Sequence, residues 1–476
     1  MGSDEDFDRA GVVDPGYRNG AGAGYGSASL PGAVQPFGGG MPESRKRGMI
    51  VRARAVVTMD GPPIENGAVA ISGDRIDDSP PGSSPSRAAR LCPSAPAGSI
   101  VDVGRFDEIK TSNSGTVVDL GEQALLPGLI NAHCHLDYTC LRGKIPRQKS
   151  FTDWIRAINA EKSKLSPADY IASINEGFAE AKRFGTTTIA NLTAFPELIR
   201  QVPDAPLRTW WFAELIDVRA PDRADQLVDA AVESLKFAQN YGLAPHALFT
   251  ASKNLYQRCE EAGANVLLTT HLAESREEME MFRDASGPLY EFMKSIGRDM
   301  DDCGNGTPLE LFVGALNVSP ARTGRALPQW IIAHLNELTE SDFQLLEKMR
   351  TQFHVVHSPR SHRYFGHNRF PFKRLHPLGL NVSLGTDSLA SNESLSLFAE
   401  MRAFQRSEPE RSPEKIFEMI TVNPASALRQ QNMLGRIAPG FRADLIAIPR
   451  SKDRDLFGEI VAFDGEINWM MVNGKP

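Results

Sequence analysis

Side chains that can bind a metal ion follow several apolar, strand-like segments of this sequence. His133 and His135 come directly after one such segment, and positions i and i+2 of an extended chain point the same way, so both imidazoles can face one ion. His271, His334 and Asp387 each close a further apolar segment. Imidazole and carboxylate ligands suit zinc, with iron(II) or manganese as alternatives, and they leave a coordination position for water. The pattern therefore predicts a divalent-metal site.

Each of these residues also has a simpler explanation when it is taken alone. A His-x-His pair occurs in cores and on surfaces as well as at metals, and a single histidine such as His271 is more often a hydrogen-bonded core residue. Asp387, in the sequence Gly-Thr-Asp-Ser, is typical of a helix N-cap. Because five such groups stand at the ends of four strand-like segments, a shared site is the better explanation.

The segments around these residues predict an α/β protein built on a (β/α)8, TIM-like barrel. From residue 124 onward, short apolar strands alternate with amphipathic helices, as in parallel β/α units. Residues 166–169 show the N-cap and the proline of a helix start, and Gly185 is typical of its end. Active sites of such barrels lie at the carboxyl ends of the strands, where the metal-binding candidates stand. Eight segments are strand candidates: 125–131, 186–191, 208–215, 243–249, 265–270, 330–333, 354–356 and 381–384.

The two ends of the chain depart from this alternation. The first 47 residues are rich in glycine and poor in large apolar side chains, so we expect a disordered N-terminal tail. Strand-like runs near both ends predict a small β-sandwich, with no helix between the runs at 444–448 and 467–472. Residues 77–100, rich in proline and serine, predict a flexible insertion or a gene-model artefact. The predicted domains are the tail (1–47), the barrel (127–434) and a β-sandwich formed jointly by 48–126 and 435–476.

Composition and charge narrow the class of protein. With 476 residues, 41% of them hydrophobic and 23% charged, the chain has the composition of a globular protein with a large core. Lys+Arg 52 against Asp+Glu 59 gives a net charge of −7, so we expect a small-molecule substrate and neither nucleic acid nor membrane as a partner. Five scattered cysteines do not form a disulfide framework, and we expect a cytoplasmic protein.

Four motifs carry a resemblance to a known family. They are Leu-Pro-Gly-Leu-Ile-Asn-Ala-His-Cys-His at 126–135, His-Leu-Ala-Glu-Ser at 271–275, Gly-Thr-Asp-Ser at 385–388 and Gly-Phe-Arg-Ala-Asp-Leu at 440–445. Together they resemble the amidohydrolase superfamily, and most closely its branch of cytosine-, guanine- and adenosine-type deaminases and chlorohydrolases. The resemblance covers residues 48–475 apart from 77–100, and it implies a metal-dependent barrel with a β-sandwich from both chain ends.

The resemblance also implies roles for single residues. Binuclear relatives bridge two ions with a carboxylated lysine at the end of the fourth strand, whereas residues 245–249 contain no lysine, so we expect one ion. Zinc is favoured, and Fe2+ is the alternative. The expected metal ligands are His133, His135, His271 and Asp387, and Glu274 and His334 act beside them.

The expected reaction is a hydrolytic deamination. A bound metal ion lowers the pKa of its water, Asp387 accepts the water proton, and His334 orients the attack on an sp² ring carbon. Protonated Glu274 donates to the neighbouring ring nitrogen, ammonia leaves, and a carbonyl remains. The first turn of the following helix is a structural alternative for Glu274, and the two roles can coexist.

Substrate contacts are expected from residues at the rim of the barrel: His246, Arg360, His362 and Ser388. A salt bridge within the barrel is an equally good expectation for Arg360. For Trp154 we expect packing in a helix rather than a lid. Residues 359–367 are among the segments similar to aminodeoxyfutalosine deaminases, which predicts an adenine-bearing substrate of that kind.

Two other functions are consistent with the same motifs. A chlorohydrolase or an N-alkylamine hydrolase acting on a triazine-like ring would keep the site and change the leaving group. A non-catalytic scaffold with the amidohydrolase fold is disfavoured, because every expected ligand position is filled. Many relatives assemble as homodimers or larger homo-oligomers, and we expect the same here.

Overall fold

The computed structural model describes residues 48–73, 96–202, 205–262, 266–316, 329–349, 353–451 and 455–476. The predicted tail and most of the predicted insertion lie outside these residues. The last residues of that insertion are not flexible surface: Ser99 and Ile100 are buried, and Ile100 begins a strand. Within the described ranges, no helix is both long and apolar enough to cross a membrane.

Strands and helices alternate through most of the chain. The strands are β1 (Met49–Val56), β2 (Ile64–Ile71), β3 (Ile100–Arg105), β4 (Thr116–Asp119), β5 (Gln123–Pro127), β6 (Leu129–His135), β7 (Thr186–Thr193), β8 (Arg208–Leu215), β9 (Tyr241–Pro245), β10 (Leu267–Leu272), β11 (Trp330–His334), β12 (His354–His357), β13 (Asn381–Leu384), β14 (Asp387–Ser388), β15 (Leu445–Pro449) and β16 (Trp469–Met471). The α-helices are α1 (Phe106–Ser112), α2 (Phe151–Lys162), α3 (Pro167–Arg183), α4 (Ala224–Leu235), α5 (Lys253–Glu261), α6 (Arg276–Asp284), α7 (Pro288–Ser295), α8 (Pro308–Ala315), α9 (Glu340–Met349), α10 (Pro359–Phe365), α11 (Phe372–Leu375), α12 (Leu397–Ser407), α13 (Pro413–Glu418), α14 (Val422–Ala427) and α15 (Leu456–Ala462).

The central sheet is parallel and curls until its last strand meets its first. Strands β6 to β13 lie side by side in chain order, and β14 pairs with β6. Since β13 pairs with β12 and β14 follows it directly along the chain, one interrupted strand closes the sheet. The helices between the strands cover it, which gives the TIM-like α/β barrel that the sequence predicts.

Helix α3 shows how the sequence builds one barrel unit. The Ser166 side chain accepts a hydrogen bond from the Asp169 amide, and the Asp169 side chain accepts one from the Ser166 amide, so the two form a capping box with a proline at the first turn. Gly185, with φ +82°, ends the helical segment in a conformation that glycine adopts without strain. The β-branched strand β7 follows, as predicted.

A second sheet of seven strands combines segments from the two ends of the chain. Its order is β16-β15-β5-β1-β2-β3, with β4 paired to β1. The predicted absence of a helix between the last two strands is wrong, since α15 lies there. Asp455 caps this helix by accepting from the Gly458 amide, and Leu456, Ile460 and Val461 bury its apolar side.

Candidate metal-dependent active site

The carboxyl ends of four barrel strands bring the predicted metal ligands together. His133 and His135 lie at the end of β6, His271 near the end of β10, His334 at the end of β11, and Asp387 in β14. All five are buried, with exposures from 1% to 7%. The sequence pattern of polar groups that follow apolar strands therefore corresponds to one cluster in space.

The separations within this cluster suit a single small cation. His135 Nε2 and His271 Nε2 are 3.2 Å apart, and Asp387 Oδ1 lies 3.8 Å from both His133 Nε2 and His135 Nε2. Two ligands of a tetrahedral zinc ion, each at about 2.0–2.1 Å, are roughly 3.3 Å apart. Four overlapping triads of side chains, each with its ligand atoms within 4.8 Å of one another, share these residues.

The hydrogen bonding also fits a metal. Both ring nitrogens of His133 are buried and lack a hydrogen-bond partner among the described residues, which is costly unless an unseen group binds there. His271 Nδ1 donates a hydrogen bond to the His246 backbone carbonyl at 2.8 Å, so His271 Nε2 is free to coordinate a metal ion. Burial, followed by the neighbouring imidazole of His271, holds the pKa of His133 well below its usual range, so this ring is neutral as a ligand must be.

Asp387 is held by two hydrogen bonds. Its Oδ2 accepts from Ser361 Oγ and its Oδ1 from the Ser388 amide, both at 2.7 Å. The residue has φ +58°, a left-handed conformation that aspartate tolerates better than most residues. Burial raises the pKa of Asp387, and the Ser361 hydroxyl opposes that shift. Sequence reasoning does not find Ser361, because its position on α10 gives no sign that it faces β14.

Glu274 extends into the same cluster from the loop after β10. Its Oε2 is 3.6 Å from His334 Nε2, and the Glu278 carboxylate accepts from the amides of Ala273 and Glu274 at 3.2 and 2.8 Å. Burial, and then the nearby Asp387 and Glu278 carboxylates, raise the pKa of Glu274 well above its usual range, which favours the protonated form. The helix-turn alternative for Glu274 is wrong, since the residue precedes the N-cap Ser275.

A cavity of about 100 Å³, open to solvent, lies over this cluster. His246 and Ser388 line it, as predicted for substrate-facing residues. An apolar wall on α2, including Phe151 and Trp154, forms one side, and these two rings stack with centroids 6.0 Å apart. Buried polar groups at the base of a cavity with an aromatic wall are typical of small-molecule sites.

Two predicted substrate contacts are not brought to this cavity. Arg360 Nη2 pairs with Glu393 Oε2 at 2.8 Å. This is a salt bridge, but the Glu393 side chain is exposed, so the pair does not lie within the barrel as the alternative expected. His362 packs instead against the rings of His357 and His367, at centroid distances of 5.0 and 5.4 Å. Both residues lie on α10, whose short length does not reveal from sequence which side faces the barrel axis.

Two charged residues that line the cavity are missed by sequence reasoning. Glu214, 6% exposed, stands at the end of β8, and its Oε1 is 3.7 Å from His135 Nδ1. Lys162 ends α2, and burial lowers the pKa of its ammonium while Glu214 and Asp137 favour the charged form. A lone acidic residue within an apolar strand is the available signal for Glu214, and the position of Lys162 carries none.

A match to the amidohydrolase family extends over residues 124–476, and the chain belongs to that family. It is 28% identical over 387 residues to a 5-methylthioadenosine/S-adenosylhomocysteine deaminase from Pyrococcus furiosus, covering 75% of this chain and 84% of that protein. Helicobacter pylori aminofutalosine deaminase, in complex with methylthio-coformycin, has a TM-score of 0.72 at 19% identity over 90% of this chain and 99% of that one. Zinc-bound atrazine chlorohydrolase from Arthrobacter aurescens TC1 has a TM-score of 0.70 at 17% identity, over 90% and 94%.

These comparisons confirm the resemblance to the deaminase branch of this family, and with it a hydrolase that acts on C–N bonds other than peptide bonds. The two solved structures show that the fold is shared by a deaminase and a chlorohydrolase, so the fold by itself does not select the leaving group.

Proposed function

We propose that this protein hydrolyses the exocyclic amino group of a purine nucleoside and releases ammonia. The observation that carries the proposal is the position of the buried Glu274 carboxyl, 3.6 Å from His334 Nε2 and beside the cluster of imidazoles and Asp387. Burial raises the pKa of this carboxyl, which favours its protonated form. An acid in this place can protonate a ring nitrogen, which a 6-aminopurine presents next to the carbon that bears the amine. The relatives named for 5-methylthioadenosine and aminofutalosine support an adenosine-type substrate with a 5′ substituent.

The residues that would hold the ion are His133, His135, His271 and Asp387, and we propose one zinc ion, with Fe2+ as the alternative. When bound, the ion supplies a water of lowered pKa and a Lewis acid near the attacked carbon. The shared ligands of the overlapping triads support one ion rather than two. The zinc reported in the atrazine chlorohydrolase structure supports the choice of metal.

The remaining steps belong to side chains of this protein. Asp387, fixed by Ser361 and Ser388, accepts a proton from the attacking water. His334 lies between Glu274 and the ligand cluster, where its imidazole stabilises the negative charge that develops during attack. Glu274 donates its proton to the ring nitrogen as the attacked carbon becomes tetrahedral. The departing amine takes up the proton that Asp387 accepted and leaves as ammonia. The hydroxyl on the attacked carbon returns a proton to Glu274 and becomes the carbonyl that the ring keeps.

The test is ammonia release from a panel of adenosine, 5′-methylthioadenosine, S-adenosylhomocysteine, aminofutalosine, adenine and cytosine, with zinc-loaded protein. We expect turnover of at least one 5′-substituted adenosine and a loss of at least about 100-fold in kcat for Glu274→Gln. Glu280→Gln, which removes a carboxyl on α6 that pairs with Arg276 outside the cluster, is the matched control and keeps the rate.

The same assay is repeated with triazines as substrates and with metal-free protein, and two outcomes contradict the proposal. Release of chloride or alkylamine from triazines without ammonia from any nucleoside would assign the alternative hydrolase. Undiminished turnover after removal of the metal would overturn the metal-dependent reaction altogether.

The organisation of the chain is proposed on the same basis. We propose a tail at 1–47, a barrel at 127–434, and a β-sandwich from 48–126 and 435–476. The seven-stranded sheet shared by both ends of the chain supports that sandwich.

We also propose a cytoplasmic location, which agrees with the buried, unbridged thiols of Cys134 and Cys259. Assembly as a homodimer or larger oligomer is tested by size-exclusion chromatography with light scattering.

A further inference from the structure

One oxygen of Glu214 faces two imidazoles of the site. Glu214 Oε1 lies 3.7 Å from His135 Nδ1 and 4.0 Å from His246 Nε2. The same atom is buried and lacks a hydrogen-bond partner within the described ranges. A buried carboxylate oxygen without a donor is costly, so its position between two ring nitrogens requires an explanation.

The orientation of His135 supplies that explanation. Its Nε2 points toward the other ligands, 3.2 Å from His271 Nε2 and 3.8 Å from Asp387 Oδ1. Its Nδ1 is therefore the nitrogen that must carry the proton if Nε2 is to coordinate. Metal-bound histidines usually donate this second N–H to a carboxylate or a carbonyl, which fixes the tautomer and strengthens the ligand.

His246 contacts the metal-binding cluster through its backbone and Glu214 through its ring. Its backbone carbonyl accepts from His271 Nδ1 at 2.8 Å, so it orients a second metal ligand in the same way. The His246 ring lines the cavity. Its Nδ1 is within hydrogen-bond distance of Thr250 Oγ1, at 2.6 Å, and its Nε2 faces Glu214. Glu214 thus contacts a residue on the metal side and a residue on the substrate side of the cavity.

We propose that Glu214 is a positioning residue that holds His135 in its metal-binding tautomer and steadies the His246 ring toward the substrate. Closing the 3.7 Å gap to a hydrogen bond requires a shift of less than about 1 Å between the Glu214 carboxylate and the His135 ring. The inference rests on the proposed metal-dependent function, since it concerns the same ligand set.

The test measures zinc affinity directly, by competition with a chromophoric chelator, without any turnover. Glu214→Gln keeps the shape and an acceptor but loses the charge, whereas Glu214→Leu loses both. We expect zinc affinity to fall in the order Glu, Gln, Leu, by about 10- to 100-fold at the Leu variant. His246→Phe should raise KM for the substrate while zinc affinity stays within about threefold of wild type.

A merely structural role for Glu214 is separated by melting the protein with and without zinc. Loss of orientation shrinks the stabilisation gained on adding zinc, while a packing defect lowers both melting temperatures equally. Asp342→Asn is the matched control, because it removes a buried carboxylate that accepts from the Thr339 amide at 2.6 Å and takes no part in the cluster. Its zinc affinity should equal that of wild type.

The outcomes are distinct. Unchanged zinc affinity in Glu214→Leu overturns the inference, even if ammonia release confirms the proposed function. Loss of a coordinating atom in the Gln variant, seen by X-ray absorption, overturns it in favour of direct ligation. Weakened zinc binding at an intact coordination number supports it, even if no nucleoside of the panel is deaminated.

Discussion

Gly385 lies between β13, which pairs with β12, and β14, which pairs with β6. Its replacement by alanine should destabilise the fold and weaken metal binding. A Cβ added there would lie 2.6 Å from the His133 carbonyl oxygen, 2.9 Å from His133 Cβ and 3.0 Å from His133 N. Restoring an ordinary contact of about 3.4 Å to the oxygen requires a shift of roughly 0.8 Å in backbone that is bonded on both sides. The Gly385 amide donates to the His357 carbonyl and the Thr386 amide to that of His133, both at 3.0 Å, so the shift strains two strand contacts.

The cost of such overpacking is about 1–3 kcal/mol or more in the free energy of unfolding. Because a metal site tolerates displacements of only about 0.5 Å, a shift of His133 should also weaken zinc binding by at least about tenfold. Thermal melting with and without zinc, together with the zinc content of the purified protein, measures both effects.

Gly314→Ala provides the control. Gly314 lies in α8, and among the described residues no atom beyond its chain neighbours and the nearby helix backbone lies within 4 Å of the added Cβ. The substitution should stabilise the helix by about 0.5–1 kcal/mol and leave zinc binding unchanged. A Gly385→Ala protein that melts and binds zinc as wild type does would refute the argument that the barrel closes through this contact.

Three further predictions each concern one side chain. Ser361→Ala removes the 2.7 Å hydrogen bond to Asp387 Oδ2 and should lower kcat by about 10- to 100-fold, the equivalent of about 1.5–3 kcal/mol; steady-state kinetics at the wild-type rate would contradict this role. Arg360→Lys keeps the charge but loses the contacts of the guanidinium with Glu393 and the Ser394 carbonyl, and KM should stay within about twofold of wild type, whereas a tenfold rise would support the predicted substrate contact. Burial lowers the pKa of His354 to about 4, whereas in the unfolded chain the ring is protonated below about pH 6.5. The contribution of the neutral His354 ring to the free energy of unfolding is therefore complete above pH 6.5 and is lost as the pH falls toward 4. Urea unfolding measures the free energy of unfolding at pH 7 and at pH 4. The decrease between the two pH values should be smaller by up to about 3 kcal/mol in His354→Gln than in wild type, and equal decreases would show that His354 does not cause the pH dependence.

The convergence of the site could be predicted from the sequence because a parallel barrel gathers the ends of its strands. His271 and Asp387 are 116 positions apart, yet each follows a short apolar run, and the topology alone places such residues at one face. The same rule accounts for His133, His135 and His334, whose types and positions needed no knowledge of helix packing.

Other features depend on directions that sequence periodicity does not determine. Arg360 lies in the first turn of a seven-residue helix, too short for an apolar stripe to show which side faces the barrel. Glu214 lies inside an apolar run rather than after it, so a search for residues that follow the strands passes over it. Helix α15 has only two turns, and its buried residues, Leu456, Ile460 and Val461, are too few to separate a helical from an extended pattern.

The pairing of β5 with β15 joins two strands that are synthesised far apart in time. Leu126 pairs with Ile446, and at about 5–20 residues per second the second strand is synthesised roughly 15–60 s after the first. During that interval the edge of β5 that receives β15 has no native partner, whereas successive barrel strands can already pair with their neighbours in the chain. Nascent chains of this protein therefore carry an open strand edge at Gln123–Pro127 until β15 has been synthesised, and during that time the edge can pair with another unfinished chain.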